Sequence, residues 1–197
     1  MEQEDFMLTL YDRLNVIRDT INKYGEDKFY LSFSGGKDST ALHYLIDEAL
    51  PGNTIPRVFI NTGIEYTDIF KFVKEMSEKD DRFEMITVGK HIKHTLDERG
   101  YPFKSKEHSN KLSIYQHIGN DSKTVARYLD KNNTFGCTDK LRYQFEPDFD
   151  IKISDYCCKE FKKYPARRYE RRTGRSPILG LRRQEGGNAR ATADAFL

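Results

Sequence analysis

Between Ser32 and Thr40 the chain reads Ser32-Phe33-Ser34-Gly35-Gly36-Lys37-Asp38-Ser39-Thr40, a set of residue types suited to holding a phosphate. Gly35 and Gly36 let the backbone approach an anion with no Cβ in the way. Ser34 and Ser39 offer hydroxyl donors, Lys37 a mobile positive charge, and Asp38 a carboxylate able to hold Mg2+ between phosphates. The β-prone run Lys28-Phe29-Tyr30-Leu31 precedes this stretch, and a helical pattern from Thr40 to Leu50 follows it. Strand, glycine turn and helix N-terminus in that order aim free N–H groups at one spot, where the helix dipole favours negative charge.

Other residues with chemistry to offer lie further along. Asn61-Thr62-Gly63 closes a second β-like run. A fourth such run, Pro177-Ile178-Leu179-Gly180-Leu181, leads into Arg182-Arg183-Gln184-Glu185-Gly186-Gly187-Asn188-Ala189-Arg190. Guanidinium forks in such a loop match phosphate or sulfate bidentately. Cys157 and Cys158 open a predicted helix, with Ser154 or Asp155 as its N-cap. There they are either reactive or metal-binding, with lowered pKa, or one of them is simply core. His91 and His94 are one helical turn apart, which is either a metal pair or, more commonly, a wet helix face. Lys104 to Lys111 is polar and basic, a surface loop or a lid over a polyanionic ligand. Lys159, Lys162, Lys163, Arg167, Arg168, Arg171, Arg172 and Arg175 are opposed only by Glu160 and Glu170, with Phe161, Tyr164 and Tyr169 interleaved. That run is either a solvated helix face or a surface for phosphates and stacked bases.

The elements that must position these residues follow from periodicity. Leu10, Leu14, Ile17 and Ile21 predict an amphipathic helix from Phe6 to Tyr24, with Gly25 as its C-cap. A second helix carries Leu42, Leu45, Ile46 and Ala49 and stops at Pro51-Gly52. Pro56 to Asn61 is a strand, a helix begins near Thr67 with Ile69, Phe70, Val73 and Met76 inward, and Arg82 to Gly89 is a third strand. Strands separated by helices predict right-handed crossovers and a parallel sheet. Ligands in such sheets sit at the carboxyl ends of the strands, so Ser34 to Ser39, Asn61 to Gly63 and the residues after Val88 are expected around one crevice. From His91 to about Asn133 the pattern weakens.

The bulk numbers are compatible with that reading. The chain has 197 residues, 37% of them apolar, with a net charge of +2. This suits one domain: an N-terminal helix over 1–26, sheet core and lid over 27–133, and a basic Cys-Cys and Arg region over 134–197. No run approaches the roughly 18 apolar residues of a membrane span, and the acidic start lacks the basic segment of a signal peptide. The expectation is therefore a cytoplasmic protein without membrane contact. Three cysteines, two of them adjacent, do not form a secreted disulfide framework. The last residues, Ala191 to Leu197, end in what reads as a helix start, and truncation and a natural end stand as equal alternatives.

The phosphate loop differs from two better-known ones. A Walker A loop would need Gly at Leu31 and Ser or Thr at Asp38, and no G-x-G-x-x-G occurs. The residues from Ser34 to Ser39 do match the S-G-G-x-D-S signature of the PP-loop ATP pyrophosphatases, which cleave ATP between its α and β phosphates. Within that superfamily the chain resembles the phosphoadenosine phosphosulfate (PAPS) reductase family. Four segments in the family's order carry the likeness. They are the loop Ser34–Ser39, Asn61-Thr62-Gly63-Ile64-Glu65, the pair Cys157-Cys158 about 20 residues before the last strand, and Gly180-Leu181-Arg182-Arg183-Gln184-Glu185, similar to the family's G-I/L-R-x-x-E-S segment.

The resemblance implies a Rossmann-like, three-layer α/β fold of the adenine nucleotide alpha-hydrolase type, with helices on both faces of a parallel sheet. It implies an adenine nucleotide, ATP or PAPS/APS, with phosphates on Ser32 to Ser39, the nucleoside near Asn61, Thr62 and Gly63, and Arg182, with Arg183 and Arg190, near the α-phosphate or sulfate. Two departures matter. Sulfonucleotide reductases usually degrade the loop, whereas this chain keeps it intact. Their reactive C-terminal cysteine is missing after Cys158, and the iron–sulfur subgroup's later C-x-x-C is missing too, so a 4Fe–4S cluster on Cys157 and Cys158 would lack half its ligands. The leading expectation is an enzyme cleaving ATP-Mg2+ and adenylating an acceptor in sulfur or nucleic-acid-modification chemistry. Lys37, Asp38 and Arg182 would be its catalytic residues, and no general base is identifiable. The alternatives are a sulfonucleotide reductase, or a fragment of one, working with a thioredoxin-like reductant, and a nucleic-acid-binding module using residues 159–183. Oligomerisation stays open.

Overall fold

The computed structural model describes residues 2–181; the side chains of residues 2–5 and of Asn120 lie outside that description. The chain divides into two compact units, one running to Thr87 and resuming at Ala166, the other from Val88 to Pro165. The sequence had suggested a single domain throughout.

In the first unit, helix α1 (Glu2–Tyr24) ends at Gly25, whose φ of 93° is open to glycine at little cost. Strand β1 (Phe29–Ser32) follows, then α2 (Lys37–Ala49), β2 (Arg57–Asn61), α3 (Thr67–Lys79) and β3 (Phe83–Thr87). After the second unit, α8 (Tyr164–Thr173) leads to β4 (Ser176–Ile178). The four strands pair in parallel in the order β3-β2-β1-β4.

That order follows from strand alternation. Phe29, Leu31 and Phe33 point to one face of β1, where they pack with Ile21 of α1, Ile46 of α2 and Val73 of α3. Tyr30 points to the other face and packs with Val58 and with Tyr169 of α8. The crossovers from β1 through α2 to β2 and from β2 through α3 to β3 place their helices on one face. The return to β4 places α8 on the opposite face, giving three layers. Strand order therefore reverses between β1 and β4, and that reversal is the point where doubly wound sheets leave a crevice for ligands.

The second unit contains α4 (Ile92–Arg99), α5 (Lys106–Ile118), α6 (Lys123–Leu129), a 3-10 segment (Asp139–Phe145) and the short α7 (Tyr156–Cys158). Its core is Leu112, Val125, Tyr128, Cys137, Phe145 and Ile153. The expected polar loop from Lys104 to Lys111 is instead largely the first turns of α5. Ser105 caps it by accepting from the His108 N–H at 3.1 Å. His108 and Ser109 are buried, and the His108 ring bridges Tyr128 Oη at 3.1 Å and Gln144 Oε1 at 2.8 Å.

Candidate nucleotide-binding site

β1 delivers the glycine loop at its carboxyl end. Phe33 still belongs to the sheet: its N–H donates to Val58 O at 2.9 Å and its ring is 2% exposed among His43, Phe72 and Phe83. Of the residues proposed to touch a nucleotide, Phe33 thus commits its side chain to the core. Gly35 takes φ 72° and turns the chain, and Gly36 becomes the N-cap of α2 with no side chain to cap it.

The loop is tied by its own hydroxyls. Ser39 Oγ, on a 5% exposed residue, donates to Gly36 O at 2.9 Å and accepts from the Ser34 N–H at 3.2 Å. Ser34 Oγ accepts from the Gly36 N–H at 3.3 Å. Gly36 O also receives the Thr40 N–H at 3.0 Å and Thr40 Oγ1 at 2.9 Å. The carbonyl is therefore saturated from inside. The first-turn N–H groups of α2 have no carbonyl a turn earlier to meet, so they stay available to an anion. Lys37 and Ser34 are exposed and Asp38 is half-buried at this same turn. Ser39 spends its hydroxyl on loop shape, where the sequence suggested a donor to phosphate.

β2 brings its own end alongside. Thr62 is 5% exposed, and the Glu65 carboxylate reaches back to it. Glu65 accepts Thr62 Oγ1–H at 2.6 Å, the Thr62 N–H at 3.1 Å and the Gly63 N–H at 3.1 Å. Asn61 Oδ1 takes a further share of the Gly63 N–H at 3.0 Å. Partial burial pushes the Glu65 carboxyl upward, but these donors outweigh it and leave its pKa below the ordinary glutamate value. The N–H groups of Thr62 and Gly63 and the Thr62 hydroxyl are therefore already occupied. Sequence reasoning quoted Glu65 without assigning it a role, although the Thr62-x-x-Glu65 spacing is that of a capping box. Glu65→Ala is expected to cost about 1–2 kcal/mol through the lost charge-assisted bonds. It should also weaken nucleotide binding more than Glu65→Gln does, readable by thermal melts and equilibrium titration.

The β4 end approaches the same turn. A Cβ on Gly180 would stand 3.1 Å from Asp38 O and 3.4 Å from Ser39 N. The glycine at the head of the Arg182 segment therefore packs directly on the first turn of α2. Arg182, Arg183 and Arg190 lie outside the described residues.

Cys157 and Cys158 belong to the second unit. With Lys104, Ser105, Lys106 and Asp155 they line a cavity of about 240 Å³. Burial pushes the Cys157 thiol up, away from thiolate. Cys137 is likewise raised by burial and sits in the core of that unit. A four-thiolate cluster does not fit this donor set. Among the described residues no group of three or more His, Cys, Asp or Glu side chains could hold a metal ion. His91 and His94 are both exposed, and His94 lies 3.7 Å from Glu98. Mg2+ is a different case, because one carboxylate plus substrate phosphates is its usual setting and Asp38 suits that. A second cavity of about 820 Å³ lies between α5 and the segment from Glu146 to Lys159.

An open parallel sheet with a glycine loop at its reversal point defines a Rossmann-like nucleotide-binding domain. More specifically, the chain belongs to the phosphoadenosine phosphosulfate reductase domain family, whose model matches residues 28–196. It is also 31% identical over 119 residues to an uncharacterized protein of Methanocaldococcus jannaschii, a match covering 55% of this chain and 28% of that protein. The chain thus spans less than a third of the length of this curated relative. No solved structure matches it. Among the described residues no helix is long and apolar enough to cross a membrane.

Proposed function

We propose that this domain binds ATP with Mg2+ in the Ser34–Ser39 loop and transfers its adenylyl group to an acceptor. The observation that carries the reading is the intact loop, with Gly36 as an uncapped N-cap and Lys37 exposed beside open first-turn donors. In the reaction an acceptor oxygen attacks the α-phosphorus, the bond to the bridging oxygen breaks, and pyrophosphate leaves with the electron pair. The backbone N–H groups of α2 hold the departing pyrophosphate, and Lys37 offsets its growing charge. Asp38 would hold Mg2+, which supplies charge neutralisation at the phosphates. Arg182 is assigned the α-phosphate on the strength of its place in the family segment.

The test offers ATP, PAPS and APS separately, with Mg2+ and a dithiol reductant, and assays AMP, pyrophosphate and sulfite. With no other acceptor supplied, water takes its place at the α-phosphorus. AMP and pyrophosphate are therefore expected from ATP, with Lys37→Ala lowering the rate roughly 100- to 1,000-fold, the usual loss for one preorganised charge-stabilising group. Sulfite from a sulfonucleotide, with no pyrophosphate from ATP, would replace this reading with sulfonucleotide reduction.

A further inference from the structure

We propose that the solvent face of α8 binds the phosphodiester backbone of a nucleic acid. The helix turns Tyr169, 2% exposed, against Tyr30 and Val58 of the sheet. That orientation leaves Arg167, Arg168, Arg171 and Arg172 exposed on the outer side. They form two i,i+4 pairs, Arg167 with Arg171 and Arg168 with Arg172, each spaced about 6 Å along the axis.

The acids near this face leave three of the four arginines unneutralised: Glu84 pairs with Arg172 alone, and Glu170 turns to Tyr30. Glu170 accepts from Tyr30 Oη at 3.1 Å. Glu84 accepts from Tyr169 Oη at 3.0 Å and lies 3.9 Å from Arg172 Nη2. Arg171 Nε turns back to Arg167 O at 3.3 Å. Among the described residues Arg167, Arg168 and Arg171 have no carboxylate partner. Like charges at i,i+4 disfavour a helix, and a polyanion laid across the four guanidinium groups relieves that repulsion. Every basic side chain on this face is arginine, whose planar fork meets phosphate bidentately and stacks on bases. A membrane surface fits less well, because an interfacial helix must bury an apolar face in the headgroups and α8 has spent its own on the sheet. Arg175, part of the same basic run in sequence, is excluded: its guanidinium donates to Glu26 O at 3.1 Å and Phe29 O at 2.9 Å.

The test is fluorescence anisotropy of the full chain with a labelled 20-mer, as single-stranded RNA, single-stranded DNA and duplex DNA, from 50 to 200 mM salt. On duplex DNA three to four neutralised phosphates predict a slope of log K against log salt near −3, a loss of roughly 60-fold over that range, with a shallower slope on single strands. Arg167→Gln/Arg168→Gln/Arg171→Gln should remove most of the binding, while the corresponding triple lysine variant retains it and Lys37→Ala leaves it unchanged. Thermal melts of the variants separate lost binding from lost fold. The proposal is overturned by absent binding at 50 mM salt, by binding that the glutamine triple leaves intact, or by arginine-dependent binding to anionic lipid vesicles without binding to any of the three nucleic acids.

Discussion

Gly35→Ala is expected to cost about 2–5 kcal/mol and to remove nucleotide binding. Two independent physical effects add at this position. At φ 72° the backbone lies in the left-handed region, where a Cβ costs about 1–2 kcal/mol. The added carbon would also stand 2.8 Å from Ile69 Cγ2 and 2.9 Å from Val73 Cγ2. Both are branched side chains, Val73 in the buried core cluster and Ile69 packed against it, and neither is the loose end of a flexible chain. Overpacking of that kind costs about 1–3 kcal/mol. Relief by moving the loop would shift Ser34 and Gly36, whose bonds to Ser39 set the direction of the open N–H groups. Gly52→Ala is the matched control, because Gly52 shares a positive φ of 78° and has nothing within 4 Å of the added carbon. It should pay the backbone cost alone. In a chain of this size each kcal/mol moves Tm by about 2–4 °C, so Gly35→Ala should melt at least several degrees below Gly52→Ala. Equal melting temperatures would show that α3 does not press on the loop.

The phosphate loop was legible because its signal is local: strand, glycines and helix start are adjacent in sequence, and each dictates its own backbone geometry. The sheet was legible for the same reason, since β1, β2, β3 and β4 are short apolar runs with helical periodicity between them. The reversal of strand order between β1 and β4 was not, because it depends on which face receives α8, and only the burial of Tyr169 against Tyr30 decides that. α5 was misread as a loop because its first turn buries His108 and Ser109. Polar residues give no hydrophobic period, and the partners that make the burial of His108 tolerable, Tyr128 and Gln144, are distant in sequence. The basic run was visible as composition. Its division into an outward set on α8 and the inward Arg175, which donates to backbone carbonyls, was visible only in the fold.

The second large effect is expected at the opposite end of β2 from Thr62. Arg57 is fully buried, an arrangement tolerated only because every polar edge of its guanidinium is met. Nε donates to His43 Nδ1 at 3.1 Å, Nη1 to Asn53 Oδ1 at 2.8 Å and to Ile55 O, and Nη2 to Asp47 Oδ1 at 2.7 Å. Burial, with the nearby charge of Arg82, brings its pKa down to about 10, so it remains charged at neutral pH. Arg57→Met should cost about 3–5 kcal/mol, because it leaves Asp47, Asn53 and His43 facing a hole without their donor. The same cluster sets an acid limit. Burial depresses the pKa of His43, so the unfolded chain takes up a proton first as pH drops below about 6.5. Burial alone would raise Asp47, but the hydrogen bonds from Arg82 and Asn53 and the charges of Arg57 and Arg82 hold it below the ordinary aspartate range. Asp80 is lowered chiefly by its hydrogen bond from Arg82. All three groups favour the folded state above their unfolded pKa values and lose that contribution as pH falls through the lower folded ones. Tm should therefore begin to decline below about pH 6.5 and fall more steeply below about pH 4, where the carboxylates protonate. His43→Leu should flatten the upper part of that profile and leave the lower part in place. A wild-type Tm that stays constant from pH 7 to 5 would mean that the buried imidazole is not what the acid attacks first.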